Sequence, residues 1–116
     1  DYRVGAQGQF KIGLNETLIG MTMHDFGIEL ARYRIPLNYF NRSVINAELY
    51  TPSDAMEAGF YDTVINIESM ESNISEITQN FKNLNMSAFV GTKIKSRRAF
   101  LELLDECIEN DMRMAV

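Results

Sequence analysis

The spacing of apolar residues changes near residue 20, and this change constrains the fold more than any other feature. Before it, glycine-rich segments alternate apolar and polar residues, as in Tyr2-Arg3-Val4 and Gln9-Phe10-Lys11-Ile12, which predicts short half-buried strands joined by turns. After it, apolar residues recur at spacings of three and four, which predicts helices. We therefore expect an α/β chain whose later part is helical.

The first two predicted helices lie on either side of Pro36. One runs from Thr22 to the residue before this proline, because proline disfavours helical geometry in the residue that precedes it. The other is predicted over residues 37–49. Its apolar face contains Phe40, Val44 and Ala47.

Residues 51–59 contain the signals of a short, capped helix. Thr51 can accept hydrogen bonds from the first free amides, and Pro52 suits the first helical turn. Gly59 permits the left-handed conformation that ends a helix. A buried strand containing Val64-Ile65 is expected to follow.

The remaining residues are predicted to form two helices, each with one apolar stripe. The first stripe contains Met70, Ile74, Ile77, Phe81 and Leu84. The second stripe contains Phe100, Leu103, Leu104, Cys107, Ile108 and Met112. Two such stripes cannot bury each other well, so we expect them to pack on the first half of the chain or on another subunit.

Composition excludes several classes of function. The chain has 116 residues, with 11 Lys and Arg against 16 Asp and Glu, and its net charge of -5 argues against a nucleic-acid partner. No apolar run is long enough to span a bilayer, so no membrane partner is expected. The single Cys107 can form no internal disulfide, and no Cys/His cluster could hold zinc or another metal. A reducing, cytoplasmic location is the natural expectation.

Glu16 is the first candidate catalytic residue. It lies among apolar residues between two glycines, and a carboxylate in apolar surroundings is suited to moving protons. The alternative is an exposed loop glutamate. In the adjacent pair His24 and Asp25, the aspartate could orient the imidazole as a base. However, Asp25 is better explained as a negative charge at a helix start. Cys107 is interpreted as a buried apolar residue.

Four positive charges fall within six residues of this acidic chain, at Lys93, Lys95, Arg97 and Arg98. Such a cluster could hold the phosphates of a nucleotide-bearing ligand. The alternative is a solvated helix face.

Two segments together resemble the crotonase superfamily, the enoyl-CoA hydratases and isomerases. Residues 10–20, with Gly13-Leu14-Asn15-Glu16-Thr17 at their centre, are similar to the family's glutamate segment. Residues 53–65, with Ala55-Met56-Glu57-Ala58-Gly59, look like its downstream landmark. The order and approximate separation match, and the specific resemblance covers residues 1 to about 67.

The resemblance implies the C-terminal half of a crotonase-type spiral core of strand-strand-helix turns in residues 1–67. It implies a helical assembly region in residues 68–116, with trimers that often pair into hexamers. It also implies an acyl-CoA substrate, with coenzyme A as part of the substrate and no separate cofactor, in fatty acid metabolism. Glu16 matches the family's proton-transfer glutamate, while the oxyanion-hole segments would precede Asp1.

The sequence Gly13-Leu14-Asn15-Glu16-Thr17 is closer to that of the family's isomerases than to that of its hydratases. Those isomerases can use a single glutamate to move a proton between two carbons. Met21, Met23, His24 and Phe26 stand where hydratases have a proline and a glycine-rich turn, and they are expected to form the acyl pocket wall. The basic cluster at residues 93–98 would contact the coenzyme A phosphates. The alternative is a catalytically incomplete fragment or a non-catalytic assembly module.

Overall fold

The computed structural model describes residues 1–115, which form a helix-rich α/β unit. Two strands, β1 and β2, are accompanied by five helices, α1 to α5, and by two short 3₁₀ turns. The strands are Val4–Ala6 (β1) and Thr63–Ile65 (β2). The helices are Asp25–Arg34 (α1), Leu37–Val44 (α2), Pro52–Glu57 (α3), Met70–Lys82 (α4) and Met86–Met114 (α5). The 3₁₀ turns are Thr17–Ile19 and Ile67–Ser69.

The two strands pair in parallel, with Gly5 opposite Val64. β1 begins at Val4, so the first predicted strand is displaced toward the C-terminus. An ion pair between Arg3 and Asp62, at 3.1 Å, joins the segments that lead into the strands. Hydrogen bonds from Arg3 hold the pKa of the Asp62 carboxyl below its usual value of 3.8.

One further strand prediction is wrong, and one helix prediction is confirmed at its start but not at its end. Residues 9–12 form no strand, and only Ile12 pairs, through an isolated antiparallel bridge to Tyr50 with N···O distances of 2.8 Å. The helix predicted over residues 37–49 is shorter, because the chain leaves the helical conformation before Ala47, whose φ is 52°.

The capped helix is confirmed in detail. Thr51 Oγ1 accepts a hydrogen bond from the Asp54 N–H at 3.2 Å, and Pro52 is the first residue of α3. Gly59 follows in the left-handed conformation with a φ of 95°. The capping signals lie within a few residues of one another, so the local sequence is enough to predict where this helix begins and ends.

The core consists of two neighbouring clusters. One joins α1 to α2 through Ala31, Ile35, Phe40 and Val44, and the other surrounds α3 with Tyr50, Ala55 and Ala58. Tyr39 and Phe60 pack against both clusters. Inside, the hydroxyl groups of Ser43 and Tyr50 form a hydrogen bond of 2.9 Å, which satisfies both buried polar groups.

The long helix α5 packs along α1, as the apolar stripe around Phe100 and Cys107 predicts. The Phe100 ring stacks on Tyr33 with the ring centroids 3.9 Å apart, and Cys107 is buried. Both stripes stay partly exposed, since Ile74 and Leu84 of the first are 46% and 48% exposed and Met112 of the second is 68% exposed. Between residues 66 and 115 the regular structure is helical. The boundary at residue 67 stays a prediction, and Val116, at the end of the predicted second region, lies outside the described residues.

Candidate active site

Glu16 lies in a turn that is held by the backbone. It immediately precedes the 3₁₀ turn Thr17–Ile19, and its carbonyl oxygen accepts the Met21 N–H at 2.8 Å. The Thr17 hydroxyl donates to the carbonyl oxygen of Val44 at 3.3 Å and so fastens the turn to the end of α2. The Glu16 side chain therefore starts from a backbone whose position is defined on both sides.

The Glu16 side chain lines a cavity of about 290 Å³, which we call the Glu16 pocket. Much of its wall is formed by six apolar side chains: Leu14, Met23, Leu30, Ala31, Ile35 and Phe60. The Oε2 atom of Glu16 is buried, and it has no hydrogen-bond partner among residues 1–115. A buried carboxylate oxygen without a partner is costly in a folded protein, which makes it a candidate for contact with a reacting group.

One face of α1 forms a continuous wall of the pocket. Residues at helical spacing contribute to it, namely His24 just before the helix, Gly27, Leu30, Ala31 and Arg34. Gly27 permits close packing there, since a Cβ atom at this position would lie 2.8 Å from Met23 Sδ and 3.0 Å from His24 Nε2. The absence of a side chain at Gly27 thus sets where the Met23 and His24 side chains lie.

The structure brings together three of the five residues that the sequence suggested for proton transfer and the acyl pocket. Glu16, Met23 and His24 line the same cavity. Met21 is 54% exposed and lies outside the lining. Phe26 also lies outside it, and its ring stacks on His24 with the centroids 6.0 Å apart. Phe26 therefore supports the rim residue His24 and does not form the wall itself.

A second cavity, of about 460 Å³, lies beside α4 and α5 and shares no lining residue with the Glu16 pocket. Lys93 and Arg97, one helical turn apart, both reach it. Their side chains bind the Asp1 carboxylate at 2.7 Å and 3.4 Å. Lys95 and Arg98 are exposed and lie outside this cavity, so the structure divides the basic cluster into two pairs.

Cys107 is placed between α5 and α1 in acidic surroundings. Burial and the nearby carboxylates, first among them Asp25, raise the pKa of its thiol, which disfavours the reactive thiolate. Within residues 1–115, no group of three or more His, Cys, Asp or Glu side chains is arranged to hold a metal ion. Over the same residues, no helix is both long and apolar enough to cross a membrane.

Several residues of the pocket escaped the sequence analysis. Arg3 and Arg34 place two cations at its edge, and Phe60 closes part of the wall. The α1 residues could have been found by extending the spacing from His24 in steps of three and four. No local signal identifies Arg3 or Phe60, because the fold brings them to the site from distant parts of the sequence.

The site thus combines an apolar pocket with one buried carboxylate oxygen, Glu16 Oε2, that has no hydrogen-bond partner among residues 1–115. No protein-family model and no curated protein matches the sequence. Solved structures do match it. An enoyl-CoA hydratase/isomerase family protein from Pseudomonas syringae is 50% identical with a TM-score of 0.94, and the match covers 97% of this chain and 49% of that one.

Two mycobacterial structures give the same result at lower identity. An enoyl-CoA hydratase from Mycobacterium marinum is 26% identical with a TM-score of 0.87, over 97% of this chain and 50% of that one. An enoyl-CoA isomerase from Mycobacterium tuberculosis is 28% identical with a TM-score of 0.88, again over 97% and 50%.

These comparisons confirm the resemblance to the crotonase superfamily. The structural neighbours of the chain are enoyl-CoA hydratase/isomerase proteins, and they cover nearly all of it. The chain spans about half the length of each of these neighbours. The fold class is therefore that of a crotonase-type protein, with a short parallel sheet and many helices.

Proposed function

We propose that this chain is the C-terminal half of an enoyl-CoA hydratase/isomerase family enzyme, in which Glu16 transfers a proton beside an acyl-CoA thioester. One observation carries the proposal: Glu16 Oε2 is buried without a hydrogen-bond partner among the described residues and lines a largely apolar pocket. Apolar walls exclude water, and a base works best when it is held close to the carbon that loses its proton.

Isomerisation needs only one carboxylate, which serves first as the base and then as the acid. Glu16 would remove a proton from C2 of a 3-enoyl-CoA, and the electrons of the broken C–H bond would form an enolate on the thioester. The same carboxyl group would then return the proton to C4, so the double bond moves to C2–C3 and no water is consumed. The charged thioester oxygen needs hydrogen-bond donors, and the resemblance assigns these to residues that precede this chain.

The test is Glu16→Gln in the intact enzyme, since glutamine keeps the shape and removes the base. Turnover of 3-enoyl-CoA should fall by about a hundredfold or more. Glu57→Gln, an identical chemical change at an exposed position of α3, is the matched control and should keep full activity. A fully active Glu16→Gln enzyme would refute the role of Glu16.

Product mass separates the two reactions of the family. An isomerase gives a product with the mass of the substrate, whereas hydration adds the mass of one water molecule. The amino-acid sequence around Glu16 favours isomerisation. We therefore expect a 3-enoyl-CoA substrate to give a product of unchanged mass. No product from a 3-enoyl-CoA, together with a product heavier by one water from a 2-enoyl-CoA, would assign hydration instead, because water adds to the double bond that is conjugated with the thioester.

The proposal places the coenzyme A phosphates near Lys93 and Arg97, the two cations that share a cavity. A phosphate would compete there with the Asp1 carboxylate, which already pairs with both side chains. Lys93→Gln should raise KM for an acyl-CoA several-fold and leave KM for the corresponding pantetheine thioester unchanged. Lys82→Gln on the exposed face of α4 is the control. An equal rise in KM for both substrates would show that Lys93 does not bind the phosphates.

The wider setting is also a proposal. Oligomerisation as a trimer or hexamer is supported by the apolar side chains that α4 and α5 leave exposed. A role in fatty acid metabolism follows from the acyl-CoA substrate. A reducing, cytoplasmic location is supported by the single buried Cys107.

The second candidate is a piece without activity of its own, and it is favoured by the match to only about half of each neighbour. If the oxyanion donors lie elsewhere, residues 1–116 alone should show no turnover of 3-enoyl-CoA. Turnover by this polypeptide alone would contradict the division of the site.

A further inference from the structure

The first turn of α1 is capped by a side chain from the far end of α5. The two carboxylate oxygens of Asp111 accept hydrogen bonds from the N–H groups of Asp25 and Phe26, each at 2.8 Å. His24 holds the N-cap position, but its side chain makes no capping hydrogen bond. The first amides of a helix have no partner within the helix, so Asp111 supplies what the local sequence lacks.

This cap completes a contact that runs along α1. Asp111 lies at the start of α1, and Phe100 stacks on Tyr33 near its end, so the two helices run antiparallel. The burial of Cys107 between these two contacts closes the interface. Helix α1 is therefore fixed to α5 at both ends.

A different set of α1 residues faces the Glu16 pocket. They begin with His24, which directly precedes the capped residue Asp25, and continue along the helix through Gly27 and Ala31. Met23, also in the wall, is one residue further back. The two wall residues nearest this end of α1, Met23 and His24, are thus within two positions of Asp25, whose amide Asp111 binds.

We propose that Asp111 is a positioning residue: by binding the first two amides of α1 it fixes Met23 and His24 against Glu16 and so aligns the acyl group for proton transfer. The alignment step rests on the proposed function, whereas the placement of Met23 and His24 does not. The carboxylate suits this task, because it accepts two hydrogen bonds and its charge is favoured at a helix start.

The first measurement needs no substitution. In the intact protein, hydrogen exchange at the Asp25 and Phe26 amides should be slowed at least about tenfold, although first-turn amides are usually unprotected. Free exchange at both amides would overturn the proposal.

The second measurement compares Asp111→Asn with Asp105→Asn, which makes the same charge change at an exposed position of α5. An asparagine offers one oxygen to two amides and places an NH₂ group against the other. The Met23 methyl and His24 ring resonances should shift in Asp111→Asn and stay unchanged in Asp105→Asn. Unchanged resonances in Asp111→Asn would refute the placement.

Kinetics then separate positioning from simple stabilisation. For a misaligned wall, kcat per folded molecule should fall about tenfold to a hundredfold, with a smaller change in KM. A lower unfolding midpoint with unchanged kcat would mean that Asp111 is only structural, and would overturn the alignment step. If Glu16→Gln is fully active, the proposed function fails, and the exchange and resonance measurements still decide what Asp111 does.

Discussion

Gly59 gives the sharpest test of how this fold is held, because two separate costs oppose any side chain there. Its φ is 95°, a conformation that L-residues adopt at a cost of about 1–2 kcal/mol. A Cβ atom would also overlap Cδ of Pro36, which belongs to a rigid ring, and would lie 3.5 Å from the Arg34 carbonyl oxygen. Overpacking of this kind costs about 1–3 kcal/mol.

Gly59→Ala should therefore lower the free energy of unfolding by about 2–5 kcal/mol, a large part of the roughly 5–15 kcal/mol of a typical domain. Gly91→Ala is the matched control. Gly91 lies inside α5, and no heavy atom outside its own stretch of helix lies within 4 Å of the position its Cβ would take. The same substitution should raise stability there by about 0.5–1 kcal/mol, because alanine loses less conformational freedom in a helix than glycine does.

Urea unfolding followed by circular dichroism measures both variants of the protein. The two midpoints should move in opposite directions, with the Gly59→Ala midpoint lower by several times the gain at Gly91. A Gly59→Ala protein within about 0.5 kcal/mol of the parent would show that the chain relaxes around Pro36 and would refute the reasoning.

Three further variants test the site and its surroundings. Gly27→Ala should keep the urea midpoint but lower kcat, because its Cβ would lie 2.8 Å from Met23 Sδ and 3.0 Å from His24 Nε2 and so displaces both side chains at the pocket wall. Asp62→Asn should cost less than about 1 kcal/mol at pH 7. Because Arg3 lowers the pKa of Asp62, that contribution is present above pH 3.8 and is lost as the pH falls further, so the urea midpoints of variant and parent should converge in acid. Thr51→Ala should lower the urea midpoint by an amount equivalent to about 1 kcal/mol, through loss of the α3 cap.

Local signals predicted what local interactions determine. The α3 helix was found from Thr51 to Gly59 because its cap, proline and stop lie within nine consecutive residues. The second helix was predicted too long because apolar spacing continues through Ala47, whereas the chain turns there to reach the bridge at Tyr50. That bridge joins residues far apart in the sequence, and no pattern within either segment reports it.

The same distinction applies to the candidate site. The neighbours of Glu16 leave an exposed loop glutamate as an alternative, and it is the motif resemblance that favours a site residue; the structure places Glu16 in the lining of a pocket. Helical spacing is predicted from Thr22 and a helix-start charge at Asp25, and α1 begins at Asp25. What the local sequence does not show is that its first amides are capped by Asp111, 86 positions from Asp25. Periodicity shows which face of a helix is buried, but it does not show which distant carboxylate fixes its end.

The contact between α1 and α5 also changes how the helical region should be understood. If α5 served only assembly, its substitution would alter subunit association and leave the Glu16 pocket intact. Yet α5 holds α1 by two hydrogen bonds at one end and an aromatic stack at the other, and α1 forms a wall of that pocket. A displacement of α5 must therefore either move α1 with it or break the contacts between the two helices. Because the stack and the hydrogen bonds lie at opposite ends of α1, the helix cannot pivot about one contact without straining the other. The helical region and the wall of the Glu16 pocket are thus mechanically linked within this single chain.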